Sequence, residues 1–210
     1  MKIALFGASG TIGQRIAQEA LSRGHEVAAI VRDPAHLQLS HPHLIVVQGN
    51  VLDPASVGRL VAGHDVVISA IGPTHGQASN LTDAAHSLIN GVSRSGVQRL
   101  IVVGGAGSLE VAPGLHLVDT PDFPAAWKPT ALAHRDALEV YRKANLDWTY
   151  VSPAALIAPG ERTGTYRTGT DKLLTDEKGE SRISAEDYAI AILDEVEHPH
   201  FIRRRFTVAY

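Results

Sequence analysis

The sequence predicts an α/β fold: a doubly wound, mostly parallel sheet with helices on both faces. Three observations carry that prediction. The opening segment runs strand, glycine-dense turn, helix, strand; short apolar runs then alternate with helical stretches as far as Val103; and successive strands end at Gly7, Gly49, Gly72 and Gly104. Strands joined through helices form βαβ units, and a parallel sheet built from them needs both faces covered. Right-handed crossovers bring the four glycine ends to one side of the sheet, where they line a single crevice.

Ile3 to Phe6 is the first strand, and Gly7, Gly10 and Gly13 punctuate the turn that follows. Ile12, Ile16, Ala17, Ala20 and Leu21 recur at helical spacing until Gly24. Val27 to Val31 is the second strand, ending in Arg32 before the turn pair Asp33-Pro34. Leu44 to Val47 reads as a third, buried strand that stops at Gly49-Asn50. Asp53 is placed to cap a helix with Pro54 at its first position, running through Leu60. Asp65 to Ala70 is a fourth strand and leads into Ile71-Gly72-Pro73. Beyond a polar loop at 74–79, Leu81, Ala84, Ala85, Leu88, Ile89 and Val92 mark a helix that closes before Gly96. Leu100 to Val103 is a fifth strand, followed by Gly104-Gly105-Ala106-Gly107-Ser108.

The second half is less regular. Residues 109–130 contain four prolines and read as a loop with little secondary structure, of the kind that builds lids and binding walls. A helix from about Pro129 to Ala144 precedes a sixth strand, Trp148 to Val151, which enters Ser152-Pro153-Ala154-Ala155 at the ligand end. Residues 157–182 read as two short extended pieces making a small hairpin or excursion over the crevice. Ser184 caps a last helix whose first turn carries Glu186 and Asp187, a carboxylate pair expected to be solvated, as is the pair Asp176-Glu177. Phe201 to Ala209 is the last strand, with Arg203, Arg204 and Arg205 on a solvated strand edge. The expectation is one domain over 1–210, with 72–80, 105–130 and 153–182 on the substrate side.

Composition narrows the chemistry. The formal net charge is −3 with no basic face in the pattern, so a nucleic-acid partner is not expected. Cysteine is absent, which removes disulfides, thiolate nucleophiles and thiolate metal sites. The 11 histidines include two His-Pro-His pairs in turn-like segments, without ligand spacing around them, so no metal is expected. Met1 leads straight into a strand pattern, and no apolar run approaches the ~18 residues that suggest a membrane span. The expectation is a soluble, cytoplasmic protein, a monomer or small homo-oligomer, with a small molecule as its partner.

Glycines at 7, 10 and 13 let a backbone approach a pyrophosphate closely, and a helix starting near Thr11 aims unpaired amides at that charge. At the end of the second strand an acidic residue would suit the ribose hydroxyls of NAD, whereas an arginine pairs with the 2′-phosphate of NADP. Arg32 therefore favours NADPH, while the adjoining Asp33 keeps NADH possible. Asn50, Val51 and Leu52 follow a strand end and are candidates for the adenine. A carbonyl reductase usually moves its proton through a positioned Tyr with a nearby Lys, and no YxxxK occurs in the chain. GxSxG and GxxxxGK[ST] are also missing. His134 and His75 remain as acid or base candidates, with Ser108 and the backbone of Gly104 to Gly107 as donors beside a nicotinamide.

The segments KIALFGASGTIG, VAAIVRDP, VVQGNVLD, DVVISAIG and RLIVVGGAGS together resemble the atypical short-chain dehydrogenase/reductase proteins with an NAD(P)H-binding, NmrA-like, Rossmann-like fold. Bacterial NADH-flavin reductases and the biliverdin reductase B (flavin reductase) family are the groups it is most similar to. The resemblance extends through LDWTYVSPAALIAPGERTGTYR and the last thirty residues, and is loose only over 109–127. It implies that Gly7, Ser9, Gly10, Thr11, Ile12 and Gly13 hold the pyrophosphate, Arg32 the 2′-phosphate, and Asn50, Val51 and Leu52 the adenine. Asn50 departs from the aspartate of many relatives. Ile71, Gly72, Gly104, Gly105, Pro153, Ala154 and Ala155 would surround the nicotinamide.

The implied activity is direct hydride transfer from NADPH to a flavin (FMN, FAD or riboflavin) or a similar flat acceptor. That chemistry asks little of side chains and suits the missing YxxxK. Pro73, His75, Ala106, Ser108, Trp127 and His134 would border the acceptor, with His134 the candidate catalytic residue by its match to a histidine of the flavin reductase. The alternatives are an NADP(H)-binding redox sensor of NmrA type and a reductase or epimerase-like enzyme on another metabolite.

Overall fold

A computed structural model describes residues 1–73 and 80–210. Its main sheet is built from β1 (Lys2–Phe6), β2 (Glu26–Val31), β3 (Leu44–Gln48), β4 (Val66–Ser69), β5 (Arg99–Val103), β8 (Asp147–Ser152), β10 (Arg167–Gly169) and β12 (Arg204–Ala209). The strand order is β10-β12-β8-β5-β4-β1-β2-β3, every pair parallel except β10 on β12. Chain direction across the sheet reverses between β1 and β4, the switch point at which doubly wound sheets open a crevice.

Period-two burial divides the core into two layers. Ile3 and Leu5 of β1 face one layer with Ile16, Ala17 and Ala20 of α1 (Thr11–Ser22) and Tyr188, Ile192 and Leu193 of α5 (Ala185–Glu197). Ala4 and Phe6 face the other, with Val57 and Val61 of α2 (Pro54–Val61), Leu88 and Val92 of α3 (Asn80–Ser95), and Ala137 and Leu138 of α4 (Lys128–Arg142). Both faces are therefore covered, as a sheet with apolar residues on both sides requires. Local signals place the ends: Asp53 caps α2 by accepting from Ala55 N at 3.0 Å, with Pro54 next to it, and Ser184 Oγ caps α5 by accepting from Asp187 N at 3.0 Å. None of the described helices is long and apolar enough to cross a membrane.

Five expectations about the fold are corrected. β3 is not buried: it lies at the sheet edge, where Ile45 is 61% and Val46 40% exposed. Apolar composition reports burial only when a neighbour arrives on each side. Residues 109–130 are more structured than a loop, with β6 (Glu110–Ala112) and β7 (Leu115–His116) paired antiparallel and a 3-10 turn at Leu117–Asp119. The segment 157–182 forms no hairpin of its own. β9 (Leu156–Ala158) pairs in parallel with β11 (Arg182–Ser184), while β10 joins the main sheet. Arg205 is not on a solvated edge, because β12 runs between β8 and β10. Its guanidinium is buried and donates to Ser108 Oγ at 2.8 Å and to the Asp171 carboxylate.

The carboxylate pair on α5 is corrected in the same way. Asp187 is fully buried and accepts from Thr163 N (2.9 Å), Thr163 Oγ1 (2.6 Å), Gly164 N (2.8 Å) and the Tyr210 hydroxyl (2.7 Å). Its neighbour Glu186 accepts from Arg15 Nε at 2.8 Å and Gly160 N at 2.7 Å. These carboxylates fasten the 160–164 stretch to the start of α5.

Candidate functional site

The glycine turn is shaped by backbone meeting backbone. Gly7 has φ +81°, and a Cβ there would lie 2.5 Å from the Ala70 carbonyl oxygen; at Gly13 a Cβ would lie 2.1 Å from the Gly7 carbonyl oxygen. Neither place admits a side chain. Gly10 N forms a 3.0 Å bond to Gly7 O, closing the turn, and Gln14 Nε2 donates to Ser9 O at 3.1 Å. Gly10 caps α1 without a side-chain hydrogen bond, and the first turn has no acidic residue. The helix start thus presents amides and positive potential with no side-chain cap and no acidic residue in its first turn, an arrangement suited to a phosphate.

Two cavities meet above this turn. One, of 340 Å³, is lined by Gly7, Ser9, Gly10, Arg32, Asn50, Val51, Leu52 and Gly72. The other, of 400 Å³, is lined by Gly10, Thr11, Ile12, Gly104, Gly105, Ala106, Trp127, His134, Pro153, Ala154 and Ala155. Gly10, Ile71 and Gly72 belong to both, so the two form one trough along the carboxyl ends of the strands. Gly13 lies beneath the turn, where its missing Cβ lets α1 approach Gly7.

Side chains at the first cavity divide by role. Arg32 is exposed, and among the described residues its guanidinium has no hydrogen-bond or ion-pair partner; only its backbone oxygen is engaged, by Gln48 Nε2 at 3.1 Å. Asp33 is occupied: Oδ1 accepts from Ala35 N at 3.0 Å, and Oδ2 lies 3.4 Å from His36. Asn50 Oδ1 accepts from Leu52 N at 3.0 Å, so it shapes the loop with its oxygen and leaves its amide for a ligand.

The second cavity is largely apolar, with Ile71, Val103, Leu117, Phe123, Trp127 and Ile157 among its walls, and among the described residues His134 is its one titratable side chain. Burial holds the His134 pKa down at about 4. A Cβ on Gly105 would lie 2.8 Å from His134 Cβ, and one on Gly104 would lie 2.1 Å from Tyr150 Cε1. These glycines are there for close packing of the histidine and the tyrosine below it. Burial raises the Tyr150 phenol well above its ordinary pKa, and its hydroxyl donates to the His134 carbonyl oxygen at 2.8 Å.

Two of the expected acceptor-side residues lie elsewhere, and a third falls outside the described residues. Ser108 is buried under its loop against Arg205 and lines neither cavity. Pro73 also lines neither. His75 lies outside the described residues. The sequence reading missed Thr130, Ala131 and Ile157 in the second cavity and Asn80 and Ala84 in the first. Helical spacing could have found Thr130 and Ala131, one turn before His134. Ile157 carried no signal, because its neighbours Leu156 and Ala158 face a separate, larger hollow of 750 Å³ on the other side of β9.

Known proteins share this fold. A Burkholderia pseudomallei protein, provisionally named an exported protein, is 54% identical with a TM-score of 0.92, each chain covered in full. A Bacteroides thetaiotaomicron protein provisionally named an epimerase is 42% identical with a TM-score of 0.93, covering 100% of this chain and 96% of that one. A Streptococcus pneumoniae TIGR4 protein provisionally named an NADH-flavin reductase is 38% identical with a TM-score of 0.89, covering 100% and 99%. The family described as NAD(P)H-binding matches residues 7–199, which take in the glycine turn, both cavities and α5. This chain belongs to the NAD(P)H-binding family and has its Rossmann-like, oxidoreductase-type fold.

Proposed function

We propose that the protein is an NADPH-dependent reductase that delivers hydride directly to a flat acceptor, FMN, FAD or riboflavin. The observation that carries this reading is the second cavity: it adjoins the dinucleotide trough, its walls are largely apolar, and its one titratable side chain among the described residues, His134, is neutral at physiological pH. Bound NADPH would supply the hydride. Gly7, Gly10 and Gly13 would admit its pyrophosphate, and the unpaired Arg32 its 2′-phosphate, with Asp33 already committed to its own turn. Ile71, Phe123 and Trp127 would hold the acceptor against the dinucleotide and thin the water around it.

Among the described residues, no side chain here is poised to give a proton. His134 titrates near 4, and the Tyr150 proton is held by a backbone carbonyl. An acceptor reduced by hydride and protonated from water needs no such donor, whereas removal of a substrate hydroxyl proton needs a base nearer neutrality. That difference favours the reductase over the epimerase-like alternative.

The test is loss of reduced-nicotinamide absorbance with FMN, FAD or riboflavin, run with NADPH and with NADH. Turnover that is faster with NADPH is expected. Tight NADP(H) binding with no turnover on any flavin would overturn the reductase and favour a redox sensor.

A further inference from the structure

Proton placement in the His134–Tyr150 pair is fixed by what each atom can do. The Tyr150 hydroxyl lies 2.8 Å from the His134 backbone carbonyl oxygen and 3.3 Å from His134 Nδ1. A carbonyl oxygen only accepts, so the shorter contact uses the single phenolic proton. Nδ1 then faces a lone pair and must bring its own hydrogen. Burial keeps the imidazole neutral down to about pH 4, so the ring carries one N–H, on Nδ1. Nε2 is left as a bare acceptor. It has no hydrogen-bond partner among the described residues and is not one of the side-chain atoms buried without one, so it is an accessible acceptor on a residue that lines the second cavity.

The geometry points to His134 as a positioning residue, locked by Tyr150 in its Nδ1–H tautomer, whose Nε2 accepts a hydrogen bond from an N–H group of the acceptor. This rests on the second cavity being the acceptor site, and it selects a substrate class within that reading. An isoalloxazine ring carries an imide N–H between two carbonyls. A quinone carries carbonyl oxygens alone and would set lone pair against lone pair. Rings bearing an imide are therefore taken in preference to quinones of similar size.

Two measurements on the full chain test this. In the isotope-labelled, ligand-free protein, a long-range proton–nitrogen correlation spectrum reads the His134 tautomer directly. The Nδ1–H form is expected; a dominant Nε2–H form overturns the proposal. Tyr150→Phe removes the lone pair facing Nδ1 and should let the Nε2–H form rise. If that variant does not fold, the wild-type spectrum decides alone.

The second measurement compares riboflavin with N3-methylriboflavin, binding to protein saturated with NADP⁺. Masking the imide should weaken binding by about fivefold or more, the size of one neutral hydrogen bond. Equal binding of the two flavins leaves the acceptor site standing and overturns the Nε2 contact. Binding of neither flavin, with the Nδ1–H form observed, overturns the acceptor site itself and the selection of imide rings with it.

Discussion

The two halves of the trough are built by different means. Around the glycine turn and Arg32, contiguous residues make the site, and the decisive contacts are backbone against backbone, such as Gly13 beneath Gly7 O. Around His134, residues from β5, the 105–130 segment, α4 and the end of β8 converge, and side chains decide the shape. A Cβ at Gly7 or Gly13 therefore meets fixed backbone, whereas one at Gly104 or Gly105 meets the side chains of Tyr150 and His134.

The sharpest way to break that contrast is Gly13→Ala. The new Cβ would meet carbonyl oxygen at 2.1 Å, and no rotamer relieves a backbone clash. A loss of about 3 kcal/mol or more in unfolding free energy is expected, with NADPH binding falling in parallel. Near-normal binding and stability would show that the turn has more room than its geometry implies.

Asp187→Asn probes a tie outside both cavities, the one that fastens the 160–164 stretch to α5. The buried carboxylate accepts four hydrogen bonds, and an amide would turn an N–H₂ towards donors, costing about 2 kcal/mol. Stability should fall while the dinucleotide affinity of the folded protein holds; loss of that affinity as well would couple the 160–164 stretch to the trough. Burial raises the Asp187 pKa, but the hydrogen bonds from Thr163, Tyr210 and Gly164 outweigh it and leave it below 3.8. Its contribution is therefore present above pH 3.8 and is lost as the pH falls towards the folded value, so wild type and variant should converge in acid urea titrations.

Arg32→Ala sharpens the donor half without disturbing the fold. NADPH affinity should fall by about tenfold or somewhat more, the worth of a charged hydrogen bond, with NADH affinity unchanged. Unchanged NADPH preference would reassign the 2′-phosphate.

The smallest effect is the pH response of the acceptor half. His134 has its pKa lowered from 6.5 to about 4, so its neutral form costs no stability above 6.5, and stability is lost as the pH falls from there towards 4. Flavin affinity should stay flat through the neutral range and drop only near pH 4, where protonation turns Nε2 into a donor. A midpoint near 6.5 would mean that His134 is solvated.

Much of the donor half was legible because it is local. The spacing of Gly7, Gly10 and Gly13, the two bracketing strands and the strand-ending Arg32 lie within one short segment, and one steric rule connects them to a phosphate. The acceptor half was legible only in outline. Gly105 reads in the sequence as a backbone donor beside the nicotinamide, and nothing there signals that His134 packs directly against it. Ser108 reads as a free donor, yet Arg205 reaches it across 97 residues.

The sequence by itself determined the fold class, the strand and helix alternation, the helix caps at Asp53 and Ser184, and the dinucleotide turn. Each of these depends on periodicity or on contacts within a few residues. Tertiary structure alone decided that β3 is an exposed edge, that Arg205 and Asp187 are buried ties, and that the second cavity is lined by a neutral histidine with an accessible acceptor nitrogen. Those properties depend on which neighbour arrives from a distant segment, and no local pattern records that arrival.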